Sequence, residues 1–166
     1  MKILETDRLI LRHLSEADAP FMLELMNEPD FHRFVGDRGL RTTNDAAAYL
    51  AEKILPSYER FGFGFYLVEL KCSGMPIGIC GLVKRDTLEW VDVGFSFLES
   101  QRGKGYAFEA AKAVMDYGRT CLELPRIIGV TAPDNRISIR LLEKLGLRFE
   151  KKIHLPGYGA ESLLFS

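Results

Sequence analysis

The stretch Val91 to Ala107, VDVGFSFLESQRGKGYA, decides how the chain folds. Val91, Val93, Phe95 and Phe97 alternate with Asp92, Gly94 and Ser96, the period-two pattern of a strand with two different faces. Beyond it, Ala107, Ala110, Ala111, Val114, Gly118 and Cys121 recur at helical spacing, with Lys112, Asp116 and Arg119 on other faces. The glycines of QRGKGYA, Gln101 to Ala107, therefore lie at a strand-to-helix turn.

Such a turn can hold an anion. The first amides of a helix lack internal partners, the helix dipole is positive there, and glycine lets backbone approach closely. Arg102 and Lys104 add full charge. Two familiar nucleotide motifs nevertheless fail: the third glycine of GxGxxG falls on Phe108, and GxxxxGK[ST] requires Ser or Thr where Gly105 stands. A plain structural turn is the competing reading.

QRGKGYA resembles the Q/RxxGxG/A signature of the GNAT acyltransferase superfamily. Four segments, ETDRLILR (Glu5 to Arg12), VDVGF (Val91 to Phe95), GKGYAFEA (Gly103 to Ala110) and NRISIRLLEKLGL (Asn135 to Leu147), resemble in order and spacing its ribosomal-protein N-terminal acetyltransferase branch. The resemblance implies that acetyl-coenzyme A is a co-substrate, its pyrophosphate wrapped by Gln101, Arg102, Gly103, Lys104, Gly105, Tyr106 and Ala107. It also implies pantetheine pairing with backbone groups of Phe97 and Leu98, as an added strand pairs with a sheet edge. A nearby amide is then placed to stabilise an oxyanion. In that branch the residue matching Asn135 contacts coenzyme A, and the one matching Ser138 sits near its sulfur, which makes Ser138 a candidate to protonate the leaving thiolate. Read without the resemblance, Asn135 is a helix N-cap and Ser138 an unremarkable residue of the first turn. Where many GNAT enzymes carry a tyrosine, four positions beyond the serine, this chain has Leu142.

The bulk properties fit one domain spanning residues 1–166. A chain of roughly 150 residues buries about 70% of its unfolded surface. A hydrophobic content of 47% suits a soluble globular protein, and a net charge of −1 gives no general attraction to nucleic acid or anionic membrane. Any anion site must be local. Cys72, Cys80 and Cys121 are odd in number and lack CxxC spacing, so neither a disulfide framework nor a cysteine zinc site is expected. No window approaches the roughly 20 apolar residues of a membrane span, and no signal-length apolar run opens the chain. A cytoplasmic location is expected, with no membrane or nucleic-acid partner and no metal; a homodimer is one option for the assembly.

Leu9 to Leu11 reads as a first strand, and Ser15 caps a helix to about Asn27, its regular part delayed by Pro20. Phe31 to Gly39 reads as a loop or irregular helical turn. Thr43 or Asn44 caps a helix that stops near Pro56. Tyr66 to Leu70 and Ile77 to Val83 form a hairpin that continues into the strand before the glycine turn, which makes three consecutive antiparallel strands. Ile127 to Thr131 is a short strand, Arg136 to Leu145 a helix stopped by Gly146, and Phe149 to Ile153 and Leu163 to Phe165 are the last strands. The fold class is mixed α/β: a mostly antiparallel central sheet of about six to seven strands with helices on both faces, as the resemblance also implies.

Asp92 lies opposite Val91, Val93 and Phe95 and is the leading candidate base, relaying a proton from the acceptor through water; pairing with an arginine is the alternative. Glu161 and His154 are weaker candidates. The cluster Phe61, Phe63, Phe65 and Tyr66 could line a pocket or stack bases, but with no basic stripe beside it the core is the leading reading. No GxSxG elbow or HExxH helix is present, and His13, His32 and His154 are far apart, which argues against hydrolytic triads and zinc. Freeing a lysine amine near neutral pH costs about 3.5 kcal/mol more than freeing an α-amine, so a site with no evident strong base suits an α-amine. The sequence thus points to an N-acetyltransferase acting on a protein N-terminal α-amine. A small amine acceptor (polyamine, amino acid or drug) and a non-catalytic coenzyme A-binding regulator are the alternatives, with Phe31 to Gly39 and Pro156 to Ala160 expected to decide the acceptor.

Overall fold

A computed structural model describes residues 1–158 and 160–166. Its strands are β1 (Lys2–Glu5), β2 (Leu9–His13), β3 (Phe65–Leu70), β4 (Pro76–Val83), β5 (Val91–Phe97), β6 (Ile127–Thr131), β7 (Phe149–Ile153) and β8 (Ser162–Phe165). They form one sheet in the order β1-β2-β3-β4-β5-β6-β8-β7, antiparallel throughout except between β5 and β6. The sheet has eight strands where the sequence led us to expect six to seven. The extra one is β1, whose four residues are too few to show a period and which is held by pairing Lys2 with Arg12 and Glu5 with Ile10.

The helices are α1 (Ala19–Met26), α2 (Pro29–Phe34), α3 (Thr43–Tyr49), α4 (Pro56–Phe61), α5 (Tyr106–Thr120) and α6 (Arg136–Lys144). Ser15 caps a short 3-10 turn, Glu16–Asp18, and the regular helix begins only at Ala19, beside Pro20. Three local expectations are corrected. Pro29 at the first helical position starts a regular helix, α2, that runs to Phe34 and so takes in the first part of the segment Phe31 to Gly39 read as a loop or irregular helical turn. Thr42, not Thr43 or Asn44, caps α3, accepting from the Asp45 amide at 3.1 Å. Pro56 starts α4 instead of ending the helical run, because a wider π-turn over Leu50–Ile54 precedes it and Leu55 bonds back to Leu50 at 2.9 Å. The run ends at Gly62, left-handed with φ 81°.

Helices cover both faces. On one, Ala110, Ala111, Val114 and Met115 of α5 bury against Leu82, Val91, Val93 and Phe97. On the other, Met22 and Leu25 of α1 and Ala46 of α3 pack over Leu67 and Ile79. Between β5 and β6 the chain makes a crossover through α5, the βαβ unit that a parallel pair requires.

Close backbone approach fixes β4 in the middle of the sheet. A Cβ on Gly81 would lie 2.0 Å from the Gly64 carbonyl oxygen and 2.7 Å from Phe65 Cα, and both are backbone atoms that cannot rotate away. We therefore expect Gly81→Ala to cost about 1–3 kcal/mol. Thermal unfolding should show the midpoint lowered by roughly 3–10 °C; an unchanged midpoint would mean that the sheet relaxes at no cost.

Candidate active site

Parallel pairing between β5 and β6 stops after Val91 with Ile127 and Asp92 with Ile128. Beyond that point β5 continues to Phe97 and β6 to Thr131 without touching register, so the two strands splay into a wedge. Leu98 donates its amide to Ile77 at 2.9 Å, and its carbonyl accepts from Gln101 at 2.9 Å. Both of its backbone groups are therefore engaged, a correction to the expectation that Leu98 offers them to a ligand. Strand alternation turns the groups of Phe97 to the opposite edge, into the wedge. There the Phe97 carbonyl accepts from Arg102 Nη2 at 3.3 Å.

The wedge ends at the glycine turn. Gly103 and Gly105 take left-handed φ values of 76° and 83°, and nothing lies within 4 Å of where a Gly103 Cβ would be. Gly105 caps α5 without any side-chain bond, and the amides of Gly105, Tyr106, Ala107 and Phe108 make no hydrogen bond among the described residues. Four donors at the positive end of a 15-residue helix thus point outward. Lys104 is exposed beside them, its Nζ 3.4 Å from Gln101 Oε1. Arg102 is not a free cation here, as the sequence led us to expect: its Nη1 sits 2.6 Å from Asp30 and its Nη2 4.0 Å from Glu28, which tie the turn to α2.

What holds the turn was legible only as part of a family segment. Thr6 Oγ1 and the Arg8 amide donate to Glu109 Oε2, and Arg8 Nε donates to Glu109 Oε1 at 2.7 Å. Arg8 Nη1 also donates to the Lys104 carbonyl at 2.9 Å, and the guanidinium covers the Tyr106 ring at 4.5 Å. Burial acts to raise the Glu109 pKa, but the bonds from Thr6 and Arg8 outweigh it and hold the carboxyl below its ordinary value.

Asn135 caps α6, accepting from the Ser138 amide at 3.2 Å, so its side-chain oxygen has a structural duty. Ser138 is half-buried on the wall of a cleft of about 900 Å³ that runs from the wedge across the α1 and α3 face of the sheet. Leu142 is 1% exposed and packs on Gly129, where a Cβ would meet its Cδ2 at 2.4 Å. The place of the missing tyrosine is therefore core. Phe61 and Phe65 line the cleft, whereas Phe63 and Tyr66 are buried in the core.

Asp92 is 2% exposed, with Oδ2 accepting from Arg85 Nε at 2.7 Å and Oδ1 bonded to nothing among the described residues. Burial raises its pKa above the ordinary carboxylate value, against the opposing pull of Arg85. Asp92 lines the cleft, and the pairing with an arginine that was the alternative reading of this residue is present in its bond to Arg85. Arg38, Tyr49, Arg85 and Tyr158 surround the same end, and none of them carries a sequence signal, since each comes from a separate loop or helix end. Arg38 and Tyr158 come from the two segments expected to decide the acceptor, and they meet with the guanidinium 5.7 Å from the ring centroid; Gly159 of the second segment lies outside the described residues. Glu161 also lines the cleft. Among the described residues no group of His, Cys, Asp and Glu is arranged to hold a metal ion, and all three cysteines are free.

The family described as Acetyltransferase (GNAT) domain matches residues 8–148. The uncharacterized N-acetyltransferase YnaD of Bacillus subtilis is 29% identical, over 87% of this chain and 82% of its own length. An acetyltransferase structure from Agrobacterium tumefaciens superposes with a TM-score of 0.82 at 28% identity, covering 99% of this chain and 92% of that one. RimL, a ribosomal L7/L12 alpha-N-protein acetyltransferase in complex with coenzyme A, shares the fold with a TM-score of 0.83 at 16% identity, covering 99% and 96% of the two chains.

The depressed Glu109 pKa sets a pH signature. Its contribution to stability is fully present above the ordinary value of 4.5 and is lost as pH falls through the lowered folded-state value. Glu109→Gln should therefore lower the thermal midpoint by roughly 2–4 °C near neutral pH, equivalent to about 1 kcal/mol. The difference from wild type should vanish in acid; a constant difference across pH would remove the charge from the account.

Proposed function

Because the chain belongs to the GNAT acetyltransferase family, we propose that it moves an acetyl group from acetyl-coenzyme A directly to a primary α-amine, with a protein N-terminus as the first acceptor class. The observation that carries the reading is the row of unbonded amides at the start of α5, set at the end of a splayed strand edge. The residues present fit the coenzyme. The amides of Gly105 to Phe108, with Lys104, suit its pyrophosphate, and the open space at left-handed Gly103 leaves room for close approach. The wedge-facing backbone of Phe97 suits its amides. When bound, the coenzyme supplies an acyl group activated as a thioester.

The protein's own part is positioning and proton transfer. Asp92 Oδ1 takes the amine proton, directly or through one water, because it is the buried carboxylate oxygen of the cleft that lacks a partner. Its raised pKa brings a weak base closer to the range where an α-amine titrates. Ser138 Oγ, also on the cleft wall, donates to the departing sulfur. No activated nucleophile is placed there for a covalent intermediate, which supports direct transfer. The protein N-terminal acceptor is supported by the four segments that resemble the ribosomal-protein branch and by the RimL likeness in fold.

Thiol release from acetyl-coenzyme A over a panel of N-terminal peptides and small amines tests the reading. Turnover of one acceptor class is expected, and Gly105→Trp should abolish it in a protein that still folds, since that substitution puts a large side chain at φ 83° at the start of α5, its Cβ 3.3 Å from Arg8 Nη2. Coenzyme binding without turnover of any amine would leave a coenzyme A-binding regulator, and absence of coenzyme binding would sink the site. Asp92→Asn should lower kcat about 10²- to 10⁴-fold with coenzyme affinity unchanged; a kcat within threefold of wild type would hand the proton to water alone.

A further inference from the structure

The acceptor end of the cleft carries a cation that the transfer chemistry does not use. Arg38 Nε is a buried atom, and among the described residues it has no hydrogen-bond partner and its guanidinium makes no ion pair. Its neighbour Asp37 is spent on Arg41, at 2.5 Å, and on the Gly39 amide, at 2.8 Å. Of the other basic groups of the cleft, Arg85 has Asp92, Arg33 has Asp134 at 3.2 Å and Lys84 donates to two backbone carbonyls, while Lys53 and Arg60 are exposed. Arg38 and Arg85 each lie 5.7 Å from the Tyr158 ring centroid, so they flank one tyrosine, and the Asp92 carboxylate is bonded to the second of them. Six cationic side chains line the cleft against four carboxylates, in a protein whose net charge is −1. A buried donor without an acceptor is costly to keep, and a guanidinium fork matches a carboxylate in shape and charge.

We propose that Arg38 is the seat of an acceptor carboxylate, so that the substrate is an α-amine carrying a carboxylate within a residue's reach, its amine at Asp92 and its anion at Arg38. The inference rests on the acetyl-transfer reading above and narrows its substrate class. Two sources supply this chemistry: a free α-amino acid, with its own α-carboxylate, and a peptide whose first residue is Asp or Glu. A bulky cationic acceptor such as a polyamine does not fit, because Arg38 repels it.

Matched pairs separate these cases. Thiol release would be compared for free L-amino acids against their amides, and for peptides beginning with Asp or Glu against those beginning with Asn or Gln, in wild type, Arg38→Gln and Arg38→Lys. The wild type should prefer the carboxylate member of one set by tenfold or more in kcat/KM; which set shows it names the source. Arg38→Gln should remove that preference about tenfold to a hundredfold through KM, with kcat within about twofold and coenzyme A affinity unchanged. Arg38→Lys should restore part of it. Equal rates within every pair in the wild type, or a preference that survives Arg38→Gln, would overturn the proposal and leave acetyl transfer standing.

Calorimetry keeps the test independent of turnover. N-acetyl-L-amino acids and N-acetyl-peptides with an acidic first residue would be titrated into wild type and Arg38→Gln beside their amide counterparts. Binding of the carboxylate forms that Arg38→Gln abolishes supports the seat even where no amine is acetylated, an outcome that would count against the transfer reading alone. No carboxylate-dependent binding to the wild type would overturn the seat.

Discussion

Everything at the site follows from the point where β5 and β6 part. A strand edge that leaves its neighbour keeps N–H and C=O groups that must find partners elsewhere. Here the separation happens in the interior of a sheet, not at its rim, because β6 stays paired with β8 while β5 stays paired with β4. Both strands therefore remain rigid on their outer sides, and the gap between them cannot close by simple sliding. Helix α5 bridges the two halves and fixes the width of the gap, since Gly118 lets Leu82 of β4 and Ile127 of β6 approach its backbone together. The same crossover places the helix start at the wide end of the gap. An unpaired edge and an unpaired helix terminus, each costly alone, become two parts of one binding surface.

Electrostatics within the wedge are local, and the near-neutral total charge hides them. Arg102 looks from the sequence like a ligand for phosphate, yet it faces Glu28 and Asp30 and serves to hold α2 against the turn. Glu28 completes that link by accepting from the Glu99 amide at 3.0 Å. The positive potential left for an anion comes mainly from backbone dipoles and Lys104. Backbone donors suit a phosphate without the rotamer entropy that long side chains lose on ordering.

The sheet was legible because its strands alternate cleanly: β3, β4, β5 and β6 follow the runs of apolar residues within a residue or two, and the three antiparallel strands stand where Tyr66 to Phe97 placed them. The glycine turn was legible because Gly103 and Gly105 do what only glycine does easily, adopting left-handed φ with no Cβ in the way. Less legible were features that depend on distant partners. Nothing near Arg102 in sequence announces Asp30, and nothing near Leu98 announces that Ile77 claims its amide. Pro56 misled because a proline ends one helix and begins another with equal ease, and only the π-turn before it decides which. Asp92 was placed on the correct face by alternation, but its bond to Arg85 arises from the turn that joins β4 to β5.

The clamp of Thr6 and Arg8 on Glu109 has a meaning for assembly as well as for shape. It joins residues 101 to 103 positions apart, among the most distant pairs that bond in the chain. Contacts of such separation carry a large loop-closure cost and form once nearer pairings have shortened the effective loop. The clamp therefore ties the start of α5 to the link between β1 and β2 across more than half of the chain, and only a chain with β2, β3 and α5 in their native places can make it.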